Sequence, residues 1–278
     1  MRRISNTIEM AKASWAVLRT DKELLALPLF SALASLVVVA GFIGAMFLAG
    51  VDLEQYEASP VQYVALFGLY VLLAFITIFF NSALVYAADD RLRGGDPTLG
   101  GALRGASMQV HRILPWALVS ATVSMVLQAI EERAGAVGRV VSAIGGVAWS
   151  LVTFLVVPVI VMEDLGVFAA VKRSGHLFRK TWGENVAAQV GFGLLGFLLV
   201  LPAIPVVVLG ALLGTAGIIV ALVAAVLWVA FVAVAISALS GIFQTVLYHY
   251  AVSGEVPGGA FDRRTIEAAF APRRRSGL

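Results

Sequence analysis

The stretch "VAAQVGFGLLGFLLVLPAIPVVVLGALLGTAGIIVALVAAVLWVAFVAVAISALSGIFQTVLYHYA" (Val186–Ala251) runs 66 residues without one Asp, Glu, Lys or Arg. A membrane-spanning helix takes roughly 20 apolar residues, so the stretch is too long for one span. Gly210, Gly214 and Gly217 offer a break, and Pro202 with Pro205 a kink before it. The reading is a fifth span from Val186 to about Leu213 and a sixth from about Ile218 to Ala251. Upstream, four further apolar runs qualify: Leu24–Ala49, Val61–Ala88, Ile113–Ile130 and Val140–Met162. The whole chain agrees, being 60% apolar and 13% charged with mean hydropathy +0.94, where a soluble domain carries about 25% charge. A soluble enzyme, a disordered chain and a fibrous repeat are excluded. The expected fold is all-α: a polytopic transmembrane bundle of six spans, residues 1–278 forming one integral membrane domain.

Charge orients the bundle. Six spans put the N-terminus, the loops Asp89–Arg112 and Glu163–Asn185, and the tail on one side, with 18 of the 20 Lys and Arg residues. Only Arg133 and Arg139 fall opposite, and the loop Val51–Pro60 carries Asp52, Glu54 and Glu57 without a base. Basic residues beside spans stay cytoplasmic, so both ends are expected in the cytoplasm. A seventh span would put Arg263, Arg264, Arg273, Arg274 and Arg275 outside. Some 20 mixed residues separate Arg2 and Arg3 from the first apolar run, unlike a signal peptide; the first span is expected to stay uncleaved.

The cytoplasmic pieces repeat. Ile4, Ile8, Ala11, Trp15 and Leu18 form one helical stripe, Leu99, Leu103, Ala106 and Val110 a second, and Phe168, Val171, Gly175 and Phe178 a third. Interfacial helices are therefore expected near Ser5–Arg19, Pro97–Arg112 and Leu165–Lys180. Asp96 is the expected N-cap of the second with Pro97 at its first position, and Asp164 a possible cap of the third. Lys12, Ser14, Leu18 and Arg19 match Lys172, Ser174, Phe178 and Arg179 at an offset of 160, and "FFNSALVY" (Phe79–Tyr86) is similar to "IFQTVLYH" (Ile242–His249). Three parallel units follow, at about 1–95, 96–163 and 164–252, each an interfacial helix plus a helical hairpin, with 253–278 a basic cytoplasmic tail.

Two segments carry a resemblance. "SWAVLRTDKELLALPLFSALAS" (Ser14–Ser35) and "VPVIVMEDLGVFAAVKRSGHLFRKTWGEN" (Val157–Asn185) resemble the signatures of an uncharacterised bacterial and archaeal family of multi-span membrane proteins. The second combines a Pro in the fourth span, an acidic pair, a Ser in the following helix and Thr-Trp-Gly-Glu. The resemblance implies the plasma membrane of a prokaryote and no biochemical function. More distantly, the chain resembles the membrane portion beside some glycerophosphodiester phosphodiesterases, whose catalytic barrel has no counterpart here.

Residues able to carry chemistry are few. Cysteine is absent, and His111, His176 and His249 lie one per region without convergent ligands, so neither metal nor other cofactor is expected. The six spans hold no charge, which argues against ion-coupled transport. Asn81 and Gln244 occupy matching positions near the ends of the second and sixth spans, where they serve either helix packing or a cavity. Gly191, Gly193, Gly196, Gly210 and Gly214 suit close helix packing and, secondly, self-association into a homo-oligomer. The pairs Asp21/Glu23, Asp89/Asp90 and Glu163/Asp164 sit at helix boundaries beside Lys22, Arg91 or Lys172, suiting caps and salt bridges. Lys12, Arg19, Arg104, Arg112, Lys172, Arg173, Arg179 and Lys180 are candidates for anionic lipid headgroups; the helices that bear them either only anchor the bundle or form a platform for lipid or a protein partner. "PRRRSG" (Pro272–Gly277) is read as touching lipid, not nucleic acid. The expectation is a non-catalytic membrane scaffold or lipid- or partner-binding module. The alternative is a permease or channel for a small neutral or lipidic solute.

Overall fold

The computed structural model describes residues 21, 23–50, 60–182 and 196–254. Among these, all regular structure is helical: α1 (Glu23–Leu48), α2 (Pro60–Leu92), α3 (Leu99–Met108), α4 (Val110–Arg133), α5 (Gly135–Thr153), α6 (Val156–Glu163), α7 (Val167–Trp182), α8 (Ala203–Leu212) and α9 (Gly214–Ser253). Five stretches are long and apolar enough to cross a bilayer: Glu23–Leu48, Pro60–Leu92, Val110–Arg133, Val137–Glu163 and Gly214–Ser253. The expected fifth span is described only as the shorter apolar stretch Gly196–Leu212, and its earlier part lies outside the described residues. The expected helix at Ser5–Arg19 and the basic tail also lie outside them.

The sixth expected span begins earlier than the charge-free run suggested. Leu213 closes α8, and Gly214, at φ +81°, opens α9 directly. This left-handed backbone suits a residue without Cβ, and it folds α8 back along α9. A Cβ on Gly210 would meet Ala221 and the Gly217 carbonyl, so small residues set the spacing of this hairpin. Forty residues of α9 span about 60 Å at 1.5 Å per residue, roughly twice a bilayer's hydrocarbon thickness. Its two halves accordingly differ. Ile219, Val220, Val223, Val226, Leu227 and Phe231 are exposed, whereas Ala238–Ala251 supplies much of the core.

The core gathers at one end of the bundle, called here the base. Leu24 and Leu27 of α1, the Ala83–Leu92 end of α2, Ala102 and Ala106 of α3, Trp116 of α4, Leu155–Ile160, Ala170 and Leu177 of α7, and Ile242–Leu247 of α9 form one buried cluster. Trp116 packs against Trp149 in a tilted arrangement with ring centroids 5.8 Å apart. Away from the base, α1, the first half of α2 and α5 expose large apolar residues such as Val37, Phe47, Val64, Val137 and Ile144. Such surface suits lipid and not water.

At the base, caps and breaks follow from individual residues. Gly94, at φ +86°, ends α2. Thr98 then caps α3, its Oγ1 accepting from Gly101 N at 3.1 Å. The expected Asp96/Pro97 start is thus displaced by two residues: Asp96 is exposed and reaches Arg91 at 3.5 Å instead. The Leu99 N–H donates to Glu23 Oε2 at 3.1 Å, so α1 also caps α3. The expected single helix over Pro97–Arg112 is interrupted at Gln109, where α3 passes into α4.

The expected fourth span is broken at Phe154–Leu155. Pro158 has no N–H for the Phe154 carbonyl and its ring crowds it. Ser174, fully buried on α7, bridges the gap: its hydroxyl accepts from Leu155 N at 3.1 Å and donates to the Val152 carbonyl at 2.7 Å. On α7 the buried stripe is Val167, Ala170, Ser174 and Leu177, one step round the helix from the expected one; Phe168 is 82% exposed, while Val171 and Phe178 flank the core. The helix seats itself by this polar plug, which a purely apolar stripe overlooks.

Gly105 allows α3 to lie on α2. A Cβ there would stand 2.6 Å from the Tyr86 ring, which is too rigid to yield. Gly105→Ala is expected to destabilise by about 1–2 kcal/mol through overpacking, seen as an earlier thermal midpoint in detergent. Tyr86→Ala in the same chain should recover most of the loss; no recovery would place the clash elsewhere.

Candidate functional site

The base is tied together by ion pairs between helices. Asp21 pairs with Arg91 of α2, whose Nη1 also donates to the Gly95 carbonyl at 3.2 Å. Asp89 accepts from Arg93 Nε at 3.0 Å and meets His249 Nε2 of α9 at 2.6 Å. Glu163 accepts from Arg173 Nε of α7 at 2.9 Å and from the Tyr248 hydroxyl of α9 at 3.0 Å. Asp164 pairs with Arg112 of α4 and accepts from Gln109 Nε2 at 3.2 Å. Hydrogen bonds from the Arg112 guanidinium, then from Gln109, hold the Asp164 carboxyl below the usual carboxylate range. The acidic pairs thus make caps and salt bridges, but not with every expected base: Glu163 takes Arg173, leaving its neighbour Lys172 exposed. Nor does Asp164 cap α7. It ends α6 in a left-handed conformation at φ 58°. Among the described residues no cluster of three or more His, Asp or Glu side chains suits a metal ion.

The eight candidate lipid bases divide. Arg112 and Arg173 are engaged by Asp164 and Glu163. Arg104, Lys172 and Arg179 are exposed and form no ion pair within the described residues. Lys12, Arg19 and the Lys180 side chain lie outside those described. On α7, Phe168, Lys172, His176 and Arg179 recur at 4-4-3 spacing and are all exposed, forming one face opposite the buried stripe. An aromatic residue among cations suits the membrane–water boundary.

Asn81 and Gln244 come together in a cleft between α1, α2 and α9, with a volume of about 390 Å³. The other polar residues along it are Ser31, Thr77, Ser237 and Ser240. Gly241 forms part of its wall because α2 packs closely there: a Cβ would meet the Leu84 side chain and stand 3.2 Å from Asn81 Oδ1. Just beside the cleft, Ser82 and Thr245 are buried and bond back to the carbonyls of Ile78 and Gly241, at 2.8 and 2.9 Å.

Ser174, Tyr248 and His249 carry base contacts that sequence reasoning did not assign. Ser174 matches Ser14 and is the Ser of the second signature, but neither feature assigns it a contact. Tyr248 and His249 stand in an apolar run, and their acceptors lie 85 and 160 residues away. Sequence spacing within α9 gives no sign of either acceptor.

No curated protein matches the chain, and nothing links it to glycerophosphodiester phosphodiesterases. Residues 60–258, well over half of the chain and including the base and the cleft apart from what Asp21 and α1 contribute, match the family of unknown function DUF6159, and the protein belongs to that family.

Proposed function

We propose that the protein is a non-catalytic integral membrane module whose basic cytoplasmic face holds anionic lipid headgroups and presents them, or the face itself, to a protein partner. The observation that carries this reading is the exposed face of α7, with Phe168, Lys172, His176 and Arg179, joined by exposed Arg104 on α3. The ion-paired base supports it by holding α7 to α6 and α9 through Glu163. The bilayer is the plasma membrane of a prokaryote. The chain crosses it six times with both termini cytoplasmic, the fifth crossing running from Val186 to about Leu213; of it, Gly196–Leu212 is described, and its α8 packs against α9. The chain contains three related units; the like back-bonds of Ser82 and Thr245, which align between the second and sixth spans, support their kinship. A reporter fused after Leu278 should read as cytoplasmic and one inserted near Glu54 as external; an external C-terminus would overturn the topology.

The lipid test is narrower than the list of bases. Arg104→Gln, Lys172→Gln and Arg179→Gln together should weaken anionic-lipid retention by up to about 3 kcal/mol at roughly 1 kcal/mol per base, less what salt screens. Native mass spectrometry in mixed lipid reads this directly. Arg112→Gln with Arg173→Gln should instead lower thermal stability and leave retention nearly unchanged. Equal retention by the triple variant and wild type would reduce the three bases to orientation signals. The permease reading draws on the cleft at Asn81 and Gln244; uptake of a neutral solute by liposomes holding the purified chain would favour it.

A further inference from the structure

The cleft between α1, α2 and α9 stands apart from the basic face and does not depend on the reading given to that face. Its first distinctive feature is uncommitted polarity. The hydroxyls of Ser82, Thr122, Ser124, Thr153 and Thr245 all bond to the carbonyl one turn back in their own helices. Those of Ser31, Thr77, Ser237 and Ser240 do not, and the Asn81 and Gln244 amides likewise have no hydrogen-bond partner among the described residues. A polar group facing hydrocarbon without a partner is costly, and here six from three helices converge on one cleft. Packing among the described helices does not pair them with one another.

Its second feature is the absence of charge. Among the described residues, none that lines it is Asp, Glu, Lys, Arg or His. A phosphate or ammonium group entering it would lose water and gain no counter-charge. The ligand that fits is uncharged and hydrogen-bonding. Phe80, Ile78, Leu84 and Ile236 line the rest of the cleft, so the ligand is also partly hydrocarbon. The volume of about 390 Å³ lies within the range of small-molecule sites.

Its third feature is depth and access. Ser31, Asn81 and Gln244 lie about 12–17 Å along their helices from the base ends of α1, α2 and α9, at 1.5 Å per residue. That level lies two to three helical turns inward from the ion-paired end of the bundle. Thr77, Ala233 and Ser237 are exposed, so the cleft opens sideways to the bilayer.

We propose that this cleft is a binding site for a neutral glycerolipid of the diacylglycerol class. The Asn81 and Gln244 amides, each with donors and an acceptor, bond the free hydroxyl and ester carbonyls, the serines complete the polar lining, and an acyl chain runs along Ile78, Phe80 and Ile236.

The test uses the purified full chain in nanodiscs with two photoactivatable probes, a diazirine-bearing diacylglycerol and the matching phosphatidylglycerol, with labelled sites mapped by mass spectrometry. Diacylglycerol should label the segments around Ser31, Asn81 and Gln244 in preference to other exposed span surfaces, and unlabelled diacylglycerol should compete. Phosphatidylglycerol should not concentrate there. Asn81→Leu with Gln244→Leu should cut the cleft labelling about tenfold, as expected for losing two net hydrogen bonds. The same change should leave the thermal midpoint in detergent at or above wild type, because no hydrogen bond among the described residues is lost. Even labelling of all lipid-facing surfaces, equal labelling of wild type and variant, or displacement by a small neutral polyol but not by diacylglycerol would overturn the proposal. If the double variant does not fold, the two amides have a structural role and the proposal fails as stated; Ser240→Ala, with a smaller drop in labelling and no loss of stability expected, checks the same site separately. The basic face is intact in every variant, so its lipid retention is read independently.

Discussion

Replacing Glu163 with alanine is expected to lower stability by about 2–4 kcal/mol, the largest single effect anticipated for the base. Glu163 accepts from Arg173 at 2.9 Å and from Tyr248 at 3.0 Å. Hydrogen bonds to charged groups contribute about 1.5–3 kcal/mol each, but the Arg173 side chain is 36% exposed, so that half is discounted for solvent screening. Tyr248 is only 6% exposed, and losing its acceptor leaves a buried hydroxyl unpaired. Tyr248→Phe alone should therefore cost less than Glu163→Ala, since it removes the orphan along with the bond. In the double variant most of the Tyr248→Phe loss should disappear, giving a coupling of about 1 kcal/mol. Thermal unfolding of the four proteins in one detergent measures this. Strictly additive losses would mean that Glu163 and Tyr248 are neighbours without being partners.

Ser174→Ala is expected to cost about 1–3 kcal/mol, the penalty for a buried backbone group left without a partner. The hydroxyl serves both a donor and an acceptor freed by the break between α5 and α6: the Leu155 N–H at 3.1 Å and the Val152 carbonyl at 2.7 Å. Leu155 and Ser174 are both wholly buried, so water has no access to replace it. The loss should be local as well as global. Amide exchange of Leu155 should quicken more than that of core positions on α9, and α7 should become more open to limited proteolysis. An unchanged midpoint together with unchanged exchange at Leu155 would show that the break is held from elsewhere, and Pro158 would be the next residue to alter.

Much of the architecture was legible because its driving force is additive along the chain. Hydropathy sums over neighbours, so the apolar runs of α1, α2, α4, α5–α6 and α9 were located from composition alone, with ends differing by a few residues. Boundaries were less legible because they depend on single polar atoms. The start of α3 turns on the Thr98 hydroxyl rather than Asp96. The end of α6 turns on Asp164 adopting left-handed backbone, for which the nearest sequence signal, an acidic residue before Leu165-Gly166, reads equally well as the start of the next helix. On α7, a stripe built only from apolar residues and glycine selected Phe168 and passed over Ser174, because burial of a hydroxyl is favourable only when a partner on another helix waits for it.

The sequence by itself determined that the chain is a helical membrane protein and roughly where its helices run; both follow from hydropathy, which is a property of residues one at a time. Tertiary structure alone decided which bases are already engaged and which groups meet. Arg112 and Arg173 are matched to carboxylates 52 and 10 residues away, while Arg104, Lys172 and Arg179 are left exposed. Asn81 and Gln244, 163 positions apart, face one cleft. Hydrogen bonds and ion pairs depend on distances of a few tenths of an ångström between atoms remote in sequence, and only the packing of α2 against α9 and of α7 under α6 sets those distances.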